Sequence, residues 1–472
     1  MLLTDLTEKC GVFGAVTEHS YTARVTYYGL WALQHRGQEG SGIASWDGQR
    51  MHSRVGAGLV AHVYDPGDLE RLDGCVAIGH NRYSTSGADG GAHAQPVIDR
   101  DLDLAFAHNG NLPSTKALEA FLRKHHINPR PLNDSEMMTR AIGVYLRDGM
   151  SLEDAVVAAW PLFTGAFSCV VMQEGHLVAF RDECGIRPLA LGKLEDGYCV
   201  SSESCAFDTV GAAFLREVKP GELVSLTAEK VTARQVVTAR PKLDVFELVY
   251  FARPDSLIAG RKVNEVRREM GRQLAREFPV VADVVIPVPD SGIPMALGYS
   301  EQSGVRFDHG FIKNRYIHRT FIKPSQVMRE RDVRVKLNPV PEVVMGKSVV
   351  VIDDSIVRGT TTGQIVGMLY GAGARSVHVL VSSPPVLYPD FYGINTPSQT
   401  ELIAANRSVE EIREHIGADS LGYLSVAGMV KATGLARQKL NLSCFTGEYP
   451  IDIGERALTI QKVSLDKKPV LV

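Results

Sequence analysis

With 472 residues, the chain is longer than one hydrophobic core usually organises, so two or three domains are expected. Its 44% hydrophobic and 22% charged residues belong to a soluble globular protein, which excludes disordered and fibrous classes. A net charge of -3 offers no general attraction to nucleic acid or anionic membrane, and no stretch approaches the roughly 18 apolar residues of a membrane span.

The chain opens MLLTDLTEK, without the basic start and apolar core of a secretory signal, so a cytoplasmic location is expected. Short apolar runs ended by turn residues follow: CGVFGAV, CVAIGH, LDLAFAHNG, AFSCVVM, HLVAF and YCVSSE. Such runs suggest strands in one or two mostly antiparallel sheets. YYGLWALQHRG and the segment from Ser135 to Leu146 have helical character, which places helices over the sheets in an α+β domain ending near Arg240.

A cysteine ahead of an apolar run, as in CGVFG, is by itself more often packing than chemistry. If cleavage before Cys10 exposed its α-amino group, that amine, with an ordinary pKa of about 7.7 to 8.0, would act as general base to the thiol of the same residue. No histidine partner is then needed.

Behind Cys10 stand LQHRGQEGSGI (33–43), GHNRYSTSG (79–87), FAHNGN (106–111) and NDSE (133–136). In this order the set resembles the class II glutamine amidotransferases, whose N-terminal nucleophile (Ntn) hydrolase fold stacks antiparallel sheets. The resemblance implies a propeptide at 1–9 and a glutaminase domain over 10–240, with Cys10 carrying the glutamyl group. It also implies that Arg82 binds the glutamine α-carboxylate in fork geometry and Asp134 the α-ammonium. Asn109, by its side-chain amide, and Gly110, by its backbone N–H, would form the oxyanion hole. Taken singly, Arg82 reads as a surface ion pair and HNGN as a turn.

ARPKLDVF has turn character and marks a boundary, after which helices alternate with apolar strands in an α/β domain placed at 241–445. In VNEVRREMGRQLAREF, Val263, Val266, Met270, Leu274 and Phe278 share one helical stripe. DVVIPVP, KSVVVID and SVHVLVSS read as strands, and TTTGQIVGMLYGAG as the crossover helix of a parallel βαβ unit. The C-terminal segment, 446–472, carries the least information.

The run VVVIDDSIVRGTTTG (349–363) joins an apolar strand, two acids, a small-residue loop and a helix start. A parallel strand ending at Ile352 would deliver Asp353 and Asp354 to its carboxyl edge, where they can hold ribose hydroxyls and Mg²⁺. Ser355, Gly359 and Thr360 can turn amides and hydroxyls toward a phosphate at the helix N-terminus. The whole run resembles the signature of type I phosphoribosyltransferases, which implies their parallel-sheet fold and phosphoribosyl pyrophosphate (PRPP) as donor, with Arg358 in the same loop. PVPDSG (287–292) brings Asp290 and Ser291 to the same edge, and in that family this loop faces pyrophosphate and Mg²⁺, so Ser291, Asp353 and Asp354 are the candidate metal ligands. KNRYIHRTFIKPSQ (313–326) resembles the loop that covers PRPP, with Lys313 and Arg315 as candidate donor contacts.

VYFARPDS (249–256) and CFTGEYP (444–450) resemble the join and tail of the glutamine-dependent PRPP amidotransferases, so the likeness spans nearly the whole chain. It implies that glutamine-derived ammonia displaces pyrophosphate from PRPP to give 5-phosphoribosylamine. Purine nucleotides as feedback inhibitors and a homotetramer are further implications. Members with a cleaved propeptide often hold a 4Fe-4S cluster on four cysteines; here Asp244, Asp390 and Asn441 stand near three of those places and only Cys444 remains, so no iron-sulfur cluster is expected. Rival readings send the ammonia to a sugar phosphate or aspartate, or make the chain a PRPP-sensing regulator. The run at 349–363 argues against the first, and the net charge and lack of a helix-turn-helix against the second.

Overall fold

The computed structural model describes residues 10–83, 94–314, 336–394, 396 and 398–461. Its first half holds two antiparallel sheets. The seven-stranded sheet has Gly11–Thr17 at its centre, between Val76–Arg82 and Gly197–Ser201. The six-stranded sheet is centred on Thr164–Gln173, flanked by Leu104–Ser114 and His176–Arg181.

The unbroken apolar runs have a simple cause: these strands are buried on both faces. Val12 and Val16 meet Ala105, Ala107 and Val170 between the sheets. Phe13 and Ala15 point the other way, onto Leu30 and Leu33 of the Thr22–Ala32 helix and its continuation. On the far side, Phe106, Phe167 and Val171 pack under Met138 and Ile142 of helix Asp134–Arg147. The layers are therefore helix, sheet, sheet, helix.

The second half is built on a parallel sheet in the order Val284–Pro287, Ser348–Asp353, Ser376–Val381, Ser420–Tyr423. Val350 and Ile352 face Val266, Met270 and Leu274 of helix Val263–Glu277, while Val349 and Val351 face Ile365 and Leu369 of helix Thr360–Gly371. Two covered faces explain why VVVI shows no polar alternation. The expected fold class, stacked antiparallel sheets followed by a parallel sheet, is the observed one.

The halves are locked together by the join and the tail. Phe246 stacks on Phe445, with ring centroids 5.3 Å apart. The segment after residue 446 turns back to the first half, where Ile453 packs with Ala166, Cys184 and Ile186, and Glu455 pairs with Lys116 at 2.8 Å. No described helix is long and apolar enough to cross a membrane.

Candidate active site

Strand Gly11–Thr17 pairs with Val76–Arg82 so that Gly11 faces Asn81, with Cys10 and Arg82 each the next residue outward from that pair. Cys10 is half-buried, and its carbonyl accepts a hydrogen bond from Arg36 Nε at 3.0 Å. Ser202 links this strand to the second sheet: its hydroxyl accepts Val12 N–H at 2.9 Å and Asn109 Nδ2 at 3.4 Å. At Gly110 a Cβ would lie 2.0 Å from the Ala166 carbonyl oxygen, so this neighbour of Asn109 must be glycine.

Asp134 opens helix Asp134–Arg147, whose start is set by reciprocal bonds between Asn133 and Glu136 at 2.8 and 2.9 Å. One Asp134 oxygen accepts Leu112 N–H at 3.2 Å and the other accepts Ser135 N–H at 2.7 Å, which orients the carboxylate two residues beyond Gly110. His80, fully buried against the His108 carbonyl at 3.1 Å, is pushed down to about 3 by burial and stays neutral. It is a packing histidine, not a base.

Under Cys10 lies an ionic network that the sequence did not announce. Arg36 is fully buried, paired with Glu203 and bonded twice to Glu247, at 2.7 and 3.0 Å. Glu203 also accepts Arg253 N–H at 2.8 Å and the Ser256 hydroxyl at 2.7 Å, both from the join between the halves. Burial pushes the Glu247 carboxyl up, but Arg36 and Arg187 outweigh it and hold it below its ordinary value. Arg36→Met is expected to cost about 3 to 5 kcal/mol, since buried Glu203 loses its guanidinium partner and buried Glu247 one of its two. Urea unfolding checks this as a lower midpoint at unchanged slope; an unmoved midpoint would show that the carboxylates find other partners.

In the second half, the loops after two neighbouring parallel strands meet. Val288 N–H reaches the Ile352 carbonyl at 2.9 Å, and the Ser291 hydroxyl donates to Asp354 Oδ2 at 2.5 Å. Asp354 is fully buried, with its other oxygen accepting the Ser355 hydroxyl at 2.7 Å and its N–H donating to Asp353 at 2.9 Å. Burial, then the adjacent Asp354, pushes the Asp353 carboxyl well above its usual range, an environment that a cation or hydroxyl donors would relieve. Gly359 takes a left-handed φ of 80° to start helix Thr360–Gly371 and leaves Thr360 exposed at its first turn.

Lys313 donates to Asp290 at 2.6 Å, and Arg358 pairs with Glu401 at 3.1 Å. Arg315 lies outside the described residues, as do 84–87 of GHNRYSTSG and residues 1–9, expected from the resemblance to be a propeptide. For Mg²⁺, whose coordination is completed by substrate phosphate oxygens and water, two carboxylates and a hydroxyl are a fitting donor set.

Asp244, Asp390, Asn441 and Cys444 are all buried, with Asp244 opposite Asn441 in a short parallel pairing. Arg187 faces them, its Nη1 3.1 Å from Asp244 and its Nη2 4.0 Å from Asp390. Burial pushes Asp244 up to about 7, and it pushes the Cys444 thiol far above its ordinary value, with Asp390 and Asp244 adding to the shift. One thiol held protonated beside two carboxylates and an amide does not fit a 4Fe-4S cluster, which takes thiolates.

Residues 80–209 match the glutamine amidotransferase domain family. A Synechococcus elongatus protein named amidophosphoribosyltransferase is 47% identical over 456 residues, covering 95% of this chain and 92% of its own. A Bacillus subtilis protein of the same name is 45% identical over 460 residues, 96% of each chain. A solved structure of the B. subtilis glutamine PRPP amidotransferase, complexed with ADP and GMP, aligns with a TM-score of 0.86 and 43% identity over 97% of this chain and 100% of that one. With both the glutaminase half and the PRPP half matched in one alignment, the chain belongs to the amidophosphoribosyltransferase family, glutamine-dependent enzymes of a first step in purine biosynthesis.

Proposed function

We propose that the working form of this enzyme begins at Cys10, after loss of residues 1–9, and that it makes 5-phosphoribosylamine, glutamate and pyrophosphate from PRPP, glutamine and water. The observation that carries this reading is the placement of Cys10 at the head of a central strand, one residue before the Gly11–Asn81 pairing, with Val12 of that strand tied through Ser202 to Asn109.

The Cys10 thiol loses its proton to the α-amine of the same residue and attacks the glutamine amide carbon. Asn109 and Gly110 donate to the oxyanion, and the ammonium returns the proton as ammonia leaves. The amine then activates water, which cleaves the thioester and releases glutamate. Arg82 and Asp134 hold the two charged ends of glutamine throughout. Ammonia attacks the anomeric carbon of PRPP, whose phosphate lies against Ser355, Gly359 and Thr360 while pyrophosphate departs toward Asp290, Ser291 and Lys313; Arg315 is a further candidate contact for the donor. Asp353, Asp354 and Ser291 are the residues that would hold Mg²⁺, whose chemistry there is to offset charge on the leaving group.

The reading includes a cytoplasmic location, a homotetramer and feedback inhibition by purine nucleotides, the last supported by the ADP and GMP bound to the B. subtilis protein. It includes no iron-sulfur cluster: the purified enzyme is expected to carry neither iron nor labile sulfide, and stoichiometric amounts of both would overturn that part. The function as a whole is tested by coupling glutamine hydrolysis to pyrophosphate release. Hydrolysis without PRPP consumption would favour another class II amidotransferase, and no hydrolysis with salt-sensitive binding of duplex DNA would favour a regulator.

A further inference from the structure

The strand that carries Asn109 and Gly110 touches residues 389–394 of the PRPP-binding half. Asn111 Nδ2 donates to the Phe391 carbonyl at 2.7 Å, across 280 positions of chain. Gly393, at φ 109°, comes so near that a Cβ on it would sit 3.3 Å from the Gly110 carbonyl carbon and 3.4 Å from Arg187 Nη2.

The segment making this contact is itself tightly folded. Asp390 accepts the N–H groups of Tyr392 and Ile394 at 2.8 and 2.9 Å, and its own N–H reaches the Thr396 hydroxyl at 2.7 Å. Arg187 Nε donates to the Tyr392 carbonyl at 3.2 Å, and the Tyr392 ring is fully buried with Ala166, Cys184, Ile186 and Ile453. The Asp390 carboxylate thus shapes a loop that rests on the glutaminase half.

An oxyanion hole accelerates reaction only when its donors are fixed before charge develops, and glycine has no side chain to hold its own N–H in place. We propose that residues 389–394 brace the oxyanion hole, with Asn111 as a positioning residue for glutamine hydrolysis; this rests on the reading of Asn109 and Gly110 as that hole.

The test compares Asn111→Asp, which keeps the shape but removes the donor, with Gly393→Ala, which presses on Gly110, in steady-state assays of the full-length enzyme. Each is expected to lower kcat for glutamine hydrolysis at least about tenfold while KM for glutamine moves less than about twofold, because the interaction matters only in the transition state. Synthesis from free ammonia should persist in both. Wild-type kcat in both variants, a rise in KM alone, or equal loss of the ammonia-dependent activity would each overturn the brace. If Asn111→Asp does not fold, Gly393→Ala is judged by the same criteria. Asn109→Ala serves as reference: full hydrolysis in that variant removes the oxyanion reading itself, whereas its loss beside wild-type behaviour of the other two removes only the brace.

Discussion

Replacing Cys10 by alanine is expected to lower glutamine-dependent synthesis at least about 1000-fold while leaving synthesis from free ammonia in place. The loss is large because the proposed mechanism puts nucleophile and base on this one residue, so the thioester cannot form without it. Folding should survive, since Cys10 is only half-buried and its tie to Arg36 runs through the backbone carbonyl. Retained ammonia activity follows from the distance in fold terms between the two chemistries: one depends on stacked antiparallel sheets, the other on the edge of a parallel sheet. Initial rates with glutamine and with ammonium salt, measured on the same preparation, check this, and equal loss of both would contradict separate sites.

Asp353→Ala is expected to damage both activities together, by about 100-fold or more, since ammonia from either source must react with the same bound PRPP. The effect should not be a disguised loss of stability. The Asp353 carboxyl is pushed up by burial and by Asp354, so its ionised form costs rather than adds folding stability at neutral pH. Relief of that cost offsets loss of the bond from Asp354 N–H, so thermal unfolding of the variant should stay close to that of the wild type. Ammonia-dependent activity near wild type would show that the acid pair plays no part in binding the donor.

Much of this molecule was legible because its strands are covered on both sides. CGVFGAV and VVVI carry no polar residues at alternate positions, and each turned out to be the centre of a sheet with packing on two faces. The stripe Val263, Val266, Met270 and Leu274 is the buried face of a helix, as its spacing requires. The loops PVPDSG and IDDS were readable as partners because a parallel sheet brings the ends of neighbouring strands together, and the Ser291 to Asp354 bond joins them.

What stayed hidden depends on partners far away in the chain. Arg36 stood inside a quoted motif without a role, since Glu203 and Glu247 lie 167 and 211 positions from it. Asn111 was the last letter of HNGN, and only the folded chain shows its bond to Phe391. The tail gave no signal because its burial comes from the first half: Ile453 and Glu455 are meaningful only beside Ala166 and Lys116. Ser202 left no mark either, a serine after an apolar run being a common turn residue until it is seen holding Val12 and Asn109 at once.

The most direct test is the intact mass of the purified, fully active enzyme, read together with its first residue by Edman degradation. The account predicts a chain lacking MLLTDLTEK and starting at cysteine. Full activity in material that still begins at methionine would contradict it, because no free amine would then stand next to the Cys10 thiol.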